Sequence, residues 1–389
     1  MHTNTFCIHP FNSLSIDGTG DQRTYKPCCM SNQSIVSESG PIDSIDSAFN
    51  SDWMNSLRDS LMNGVQHSAC TLCWDEERAG KESKRVRDSK TQLALLDKPD
   101  TVIKNIDLKM GNLCNLKCRI CNPWNSSQWE TEWFTIGGRK DSIQEFKNSF
   151  KLQRQSWNPG EKIWDELLEI LPNIESFDLY GGEPLLIENV WDILKLSVEK
   201  GYSKNQRIHY NTNGSIVPND DQLELWKQFK LVDLQVSLDD INERHNYQRH
   251  PNKWEIVKKN IKSLQQHKWI SLTTNATISN FNVFYLDEIT TEIMDNLGCS
   301  IWYNILHHPD EYSVDILDPK IKEILLKKLS HVKDKNPDIL NILNFIGSNP
   351  NPNKMKLFLK KVQEHDTYRK ENFSTTFPEW YEILKQHYL

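Results

Sequence analysis

The chain has 389 residues, 37% of them apolar and 25% charged, a length that buries a sizeable core and suggests two or three domains. Its aromatic content, including 13 Trp, excludes a disordered chain. With Lys and Arg at 46 against Asp and Glu at 53, the net charge is −7; nothing global marks a nucleic-acid binder, and no apolar run approaches the roughly 18–20 residues that cross a bilayer.

The opening MHTNTFCIHPFNS lacks a basic region followed by an apolar one, so no secretory signal is expected and the chain reads as cytoplasmic. Nine cysteines then stand out: Cys7, Cys28, Cys29, Cys70, Cys73, Cys114, Cys118, Cys121 and Cys299. In a reducing compartment, spaced cysteines read as metal ligands or catalytic groups before disulfides, and an odd total does not suit a disulfide framework.

Taken in order, FCIHPFNSLSIDGTGDQRTYKPCC predicts a hairpin turning at Asp17–Asp21. AFNSDWMNSLRDSLMNG predicts a short amphipathic helix, and Cys70-Thr-Leu-Cys73 closes the segment. This arrangement can gather four thiolates on one centre: Cys7, Cys28, Cys70 and Cys73. Cys29 is the alternative to Cys28, because neighbours on an extended strand point to opposite sides. Zinc and iron–sulfur both fit such a set. The charged stretch KESKRVRDSKTQLALLDKPD reads as helix and linker. It divides an amino-terminal domain, residues 1–98, from a central domain, 99–310, which a helical carboxy-terminal extension, 311–389, follows.

From residue 102 onward short β-branched or apolar runs alternate with helical patterns: VIKNIDLKM, SFDLYG, RIHYNTNG, LVDLQVSLD, ISLTTNATIS and SIWYNILH are six strand candidates. Strands alternating with helices imply βα units and a parallel α/β sheet, whose ligand sits at the carboxyl ends of the strands. The polar signatures GNLC, GGEP, NTNG and SLD fall at those ends. Together they predict a TIM-like barrel. Beyond residue 310 the pattern turns helical and basic. Its charge reads as a solvated helix face, and a nucleic-acid partner is disfavoured.

Cys114, Cys118 and Cys121 lie within eight residues in a strand-end loop, so all three can face one metal centre. A zinc site would want a fourth ligand close by, and NPWNSSQWETEW, which follows, holds no Cys or His. Three thiolates on a [4Fe–4S] cluster instead leave one iron open to a small chelating molecule.

The C-x3-C-x2-C spacing of Cys114, Cys118 and Cys121 resembles the signature of the radical S-adenosylmethionine superfamily. Gly181-Gly182-Glu183-Pro184, Thr212-Asn213-Gly214, Ser237-Leu238-Asp239 and Arg249 follow in the order that family shows. The resemblance covers residues 100–310 and implies a partial (β/α)6 barrel. It also implies that S-adenosyl-L-methionine binds the open iron and is cleaved by one electron to methionine and a 5′-deoxyadenosyl radical, which takes a hydrogen atom from the substrate. Gly181 and Gly182 are then expected to let the backbone approach the methionine moiety, with Glu183 offering a carboxylate to its ammonium group. Asn213 and Ser237 are expected to bond ribose hydroxyls or the carboxylate, Asp239 to support the ribose or its loop, and Arg249 to pair with the carboxylate. Ile120 and Ile278 are expected to flank the adenine. The amino-terminal cysteine segment resembles the SPASM or twitch auxiliary domains of that superfamily, except that it precedes the barrel instead of following it. That implies a second [4Fe–4S] cluster, with structural zinc as the alternative.

Cys299 reads as a core residue, while His307, His308, Asp310 and Tyr312 leave the carboxyl end of the last strand and are candidates to face a substrate. Trp124, Trp129 and Trp133 read as packing. The leading function is a radical SAM oxidoreductase or modifying enzyme acting oxidatively on a peptide, with a flavodoxin or ferredoxin as electron donor. The alternatives are the same chemistry on a carbohydrate or other small metabolite and, more remotely, a non-catalytic zinc or iron–sulfur interaction module. A radical methyltransferase would want a methyl-accepting cysteine or a cobalamin domain, and the sequence shows neither.

Overall fold

The computed structural model describes residues 4–18, 23–36, 42–78, 80, 82–93, 100–138, 162–336 and 338–389. Residues 19–22 of the expected hairpin turn and 94–99 of the expected linker lie outside them. Eight strands form one sheet: β1 (Ser13–Asp17), β2 (Thr24–Lys26), β3 (Asn105–Lys109), β4 (Ser176–Tyr180), β5 (Arg207–Thr212), β6 (Leu231–Ser237), β7 (Ile270–Ile278) and β8 (Ile301–Ile305). Their order is β2-β1-β3-β4-β5-β6-β7-β8. The hairpin partner β2 is antiparallel to β1, whereas β1 with β3, β3 with β4, β4 with β5 and β7 with β8 are parallel. The six strands expected from the sequence are β3 to β8 in chain order, consistent with a partial barrel. No described helix is long and apolar enough to cross a membrane.

The described residues divide into two compact units. The first comprises Met1–Leu113, Lys147–Tyr210 and Pro218–Asp233. Alternation along its strands puts Leu14, Ile106, Phe177 and Ile208 side by side in register, and all four are buried. The positions one residue on, Ser15, Asp107, Asp178 and His209, are also aligned and form a polar stripe on the opposite face. Helix α1 (Asp52–Met62) starts at Ser51, whose hydroxyl accepts the Met54 N–H, and buries Met54, Leu57 and Leu61. Helix α2 (Thr71–Arg78) carries Cys73 and Trp74. Arg85 on α3 (Lys84–Leu93) binds α2 through Glu77 (Nη2–Oε2 2.6 Å), lies over the Trp74 ring, and donates to the Phe6 carbonyl at 2.6 Å. One arginine thus ties the CxxC helix to the backbone beside Cys7.

The second unit comprises Cys114–Phe146, Asn211–Val217 and Leu234–Leu389. A single apolar core runs from Val236 to Tyr388. Into it pack helices α4 (Pro319–Leu329), α5 (Asp338–Phe345), α6 (Pro352–Arg369) and α7 (Pro378–Tyr388). Helix α6 begins where the Asn351 side chain accepts the Lys354 N–H, with Pro352 in the first turn. It buries Met355, Phe358, Leu359, Val362 and His365. Phe281, just after β7, meets Phe358 edge-on at 5.0 Å between ring centroids. Full burial of Phe358 contributes about 2–3 kcal/mol before the entropy of ordering it. The basic carboxy-terminal helices are therefore amphipathic, with their lysines outward as expected.

Candidate functional site

The three-cysteine loop belongs to the second unit. Cys114 is buried; the Leu116 N–H points at its sulfur at 3.4 Å and the Asn213 amide at 3.9 Å. Asn213 also donates to Asn115 Oδ1 at 2.9 Å. Burial pushes the Cys118 thiol well up, and the neighbouring Cys121 and Cys114 push it further, against the pull of Arg249. Arg249 is thus a buried cation whose charge bears on Cys118 and Cys121. Arg249 is itself held by Asp239, whose Oδ2 accepts from Nε at 2.9 Å and lies 2.8 Å from Nη2. Asp239 has a left-handed backbone (φ +61), and its Oδ1 accepts the Thr277 N–H at 3.0 Å. The fork expected to reach a cofactor carboxylate therefore has an internal partner. Ser237 ends β6 half-buried, Ile120 is half-buried against the core, and Ile278 is fully buried within it.

Gly181, Gly182 and Glu183 follow β4 in the first unit. Both glycines have positive φ, +89 and +55. A Cβ at Gly182 would stand 2.2 Å from the Leu113 carbonyl oxygen, and one at Gly181 would stand 2.3 Å from Lys109 Cγ. The space both glycines leave open is filled by the chain just ahead of Cys114, and that packing explains them independently of any cofactor. Glu183 is completely buried; its N–H donates to the Leu113 carbonyl at 2.8 Å and its Oε1 accepts the Leu185 N–H at 3.2 Å. Gly182→Ala is expected to lower stability by about 3 kcal/mol, combining left-handed strain with overpacking. Gly201→Ala, also at positive φ (+78) but with nothing within 4 Å, is expected to cost about 1 kcal/mol. Denaturant unfolding of both variants checks this, and equal losses would show that the Leu113 contact does not matter.

The amino-terminal cysteines also lie in the first unit. Cys7, Cys28, Cys70 and Cys73 line one small cavity with His9, Met30, Ser31, Ala69, Lys84 and Arg85. Burial pushes the Cys28 and Cys70 thiols up to about 12, with Cys73 the next cause for each. Cys7 is raised by burial, then by Cys28, with Cys70 and Cys73 adding to it. The four groups are therefore neutral thiols in the metal-free chain, and a cationic metal core would be needed to hold them as thiolates. Cys29 does not line the cavity; its N–H donates to Asp107 Oδ2 at 2.9 Å. Among the described residues, no group of three or more His, Cys, Asp or Glu side chains is placed to hold a single metal ion.

The only signal of the polar stripe in the sequence is Asp and His alternating with apolar residues in SFDLYG and RIHYNTNG. Asp107 is buried, and desolvation together with Asp178 raises its carboxyl, opposed by Lys84. Asp17 and Lys109 pair at 3.0 Å, and Tyr180 Oη lies 2.9 Å from Ser15 Oγ.

Of the remaining candidates, Cys299 is buried and its sulfur accepts from Gln265 at 3.4 Å. His308 is exposed and bonds Asp310 at 2.7 Å, His307 meets the Phe345 ring edge-on, and Tyr312 is buried. Trp129 packs edge-on against Trp133, and Trp133 against Trp124, as the packing reading expects. Residues between Lys356 and Leu389, among them Lys360, Gln363, Lys370 and Tyr381, line a groove of about 650 Å³.

Residues 108–289 match the family described as the Radical SAM superfamily. No curated protein matches the chain. Among similar solved structures is native anSMEcpe with bound AdoMet, at 17% identity and TM-score 0.41 over 64% of this chain and 62% of that one. Another is SuiB of Streptococcus suis bound to S-adenosylmethionine, at 14% identity and TM-score 0.37 over 73% and 58%. TYW1 with a lysine-pyruvate adduct matches at 15% identity and TM-score 0.33 over 60% and 74%. The chain spans less than two thirds of the length of the anSMEcpe and SuiB structures it matches.

Proposed function

We propose that this chain, which carries a radical SAM superfamily domain over residues 108–289, cleaves S-adenosyl-L-methionine reductively and removes a hydrogen atom from its substrate, with oxidative modification of a peptide as the outcome. The observation that carries this reading is the family match itself, with the C-x3-C-x2-C run Cys114, Cys118 and Cys121 inside the matched residues. These three would hold a [4Fe–4S] cluster with an open iron; with S-adenosyl-L-methionine bound there, the pair supplies one-electron cleavage to methionine and a 5′-deoxyadenosyl radical. The chain's own groups bind and orient. The Leu116 N–H and the Asn213 amide temper the charge on the Cys114 thiolate. Arg249 places a cation next to Cys118. Glu183 would take the ammonium group, and Asn213, Ser237 and Asp239 the ribose and carboxylate. Half-buried Ile120 would offer an apolar face to the adenine, and Ile278, enclosed in the core, would do so only if the core around it opened.

Cys7, Cys28, Cys70 and Cys73 would hold an auxiliary [4Fe–4S] cluster of SPASM or twitch kind, and the cavity these four share supports the reading. With four protein thiolates, no iron there is open to substrate. A cluster held by these cysteines could accept the electron released when a substrate radical is oxidised. A flavodoxin or ferredoxin would supply the reducing electron. The groove lined by residues between Lys356 and Leu389 supports a peptide substrate. The polar stripe Ser15, Asp107, Asp178 and His209 supports a second reading, a carbohydrate or other polar metabolite.

Anaerobic loading with iron and sulfide is expected to give about eight irons per chain, falling to about four in Cys28→Ala and staying near eight in Cys29→Ala. Stoichiometric zinc at the amino-terminal cysteines, or iron lost in Cys29→Ala but kept in Cys28→Ala, would overturn the auxiliary assignment.

A further inference from the structure

We propose that Arg119 is a positioning residue for the three-cysteine loop, clasped by the end of α6 and the turn after it, so that residues 365–371 set how firmly and at what potential that loop holds its cluster. The inference rests on the radical SAM reading for the cluster, and on the chain's own geometry for the clasp.

Arg119 lies between Cys118 and Ile120, and its side chain is 1% exposed. Nη2 reaches Asp366 Oδ1 at 2.6 Å and Glu371 Oε2 at 2.5 Å. The guanidinium carbon sits 3.7 Å from the centre of the Tyr247 ring, and the Tyr247 hydroxyl donates to the same Asp366 oxygen at 2.7 Å. The other Asp366 oxygen accepts the Phe373 N–H at 2.6 Å, and Glu371 Oε1 is 2.7 Å from His250 Nδ1. Each carboxylate is therefore oriented by a second group before it meets the arginine.

The main chain of the loop is tied down as well. The Lys117 N–H donates to the His250 carbonyl at 2.8 Å and the Arg119 N–H to the Gln248 carbonyl at 2.7 Å. Arg369 Nη2 donates to the Lys117 carbonyl at 2.9 Å, and the Trp129 indole N–H to the Cys118 carbonyl at 3.0 Å. Buried Glu132 collects Lys117, His365 and Arg369, each at 2.8 Å. Two residues of α6, His365 and Arg369, thus brace the start of the loop while Asp366 and Glu371 hold its middle. A loop that presents thiolates must fix their direction, and outer partners do that work at metal sites.

The charges give a signature that mere packing would not. Arg119 is a fixed cation one residue from Cys118, and Glu371 a fixed anion behind it. A cation near an iron–sulfur cluster favours its more negative reduced form, and an anion disfavours it. Arg119→Met should therefore lower the midpoint potential of this centre, and Glu371→Gln should raise it.

The test uses full-length protein loaded anaerobically, following the reduced-cluster signal that changes when S-adenosyl-L-methionine is added. Arg119→Met is expected to lose that signal to a chelator about tenfold faster than the parent chain. Arg119→Lys should recover part of the loss, since a lysine can pair but cannot fork or stack in the same way. The two charge variants should shift the potential in opposite directions. In unloaded protein, amide exchange over residues 117–121 should quicken in Arg119→Met. Should Arg119→Met fail to fold, Glu371→Gln carries the potential and exchange arms alone. Unchanged retention and exchange, or potentials moving the same way, would overturn the clasp. A parent chain with no S-adenosyl-L-methionine-responsive signal would overturn the radical SAM reading instead, and the exchange arm would still decide the clasp.

Discussion

Replacing Cys118 with Ala is expected to abolish reductive release of 5′-deoxyadenosine, whereas replacing Cys70 with Ala should leave uncoupled release in place. Cys118 is the middle donor of a three-thiolate set, in a loop where burial and both neighbouring cysteines bear on its thiol. With two donors left, an oxygen-sensitive cluster has no adequate anchor. Cys70 stands in the other group, whose four thiols line their own cavity, so its loss removes a separate centre. Either variant should carry about half the iron of the parent chain, about four atoms instead of eight. The variants differ in which activity goes: Cys118→Ala loses cleavage, and Cys70→Ala loses coupling of cleavage to product. Parallel iron and deoxyadenosine assays check both. Equal loss of cleavage in the two variants would mean that the cysteine groups do not act as separate centres.

Asp239→Ala is expected to lower folding stability by about 3–5 kcal/mol, the scale for breaking a buried ion pair by removing one partner. Arg249 would keep its charge with its side chain only 9% exposed, and the Thr277 N–H would lose its acceptor. Alanine must also adopt the left-handed backbone at this position. Asp239→Asn separates these causes, because asparagine tolerates that backbone and can still accept from Thr277, while its amide nitrogen cannot accept from Arg249; its smaller loss measures the ion pair, charge and hydrogen bonds together. Arg249→Met added to Asp239→Asn should recover part of the stability, since both ends of the pair are then neutral. Denaturant unfolding of the three variants gives the comparison. A loss under about 1 kcal/mol for Asp239→Ala would mean that water already reaches the pair.

Local pattern carried much of the fold. Period-two alternation in SFDLYG and RIHYNTNG and the 3.6-residue pattern of the intervening segments were enough to locate β4, β5 and their neighbours. The hairpin β1–β2 was legible from its turn residues, but its parallel pairing with β3 was not, because Ser13 meets Asn105 across a long stretch of chain that no local pattern records. The candidate site divides in the same way. Cysteine spacing marks the two thiol groups directly. Side-chain partners do not follow from spacing, so the pairing of Arg249 with Asp239 is not legible in it. The close approach of Lys109 and Leu113 to Gly181 and Gly182 is likewise absent from the local pattern. Nothing local marks Arg119, because its partners, Asp366 near the end of α6 and Glu371 in the turn after it, lie far along the chain where charges read as solvated.

Reduction of the anaerobically loaded chain in the presence of S-adenosyl-L-methionine tests the central claim most directly, with 5′-deoxyadenosine and methionine measured together. The account predicts both products in equal amounts, dependent on the reductant and absent from Cys118→Ala. A fully loaded, reduced chain that leaves S-adenosyl-L-methionine intact would contradict it.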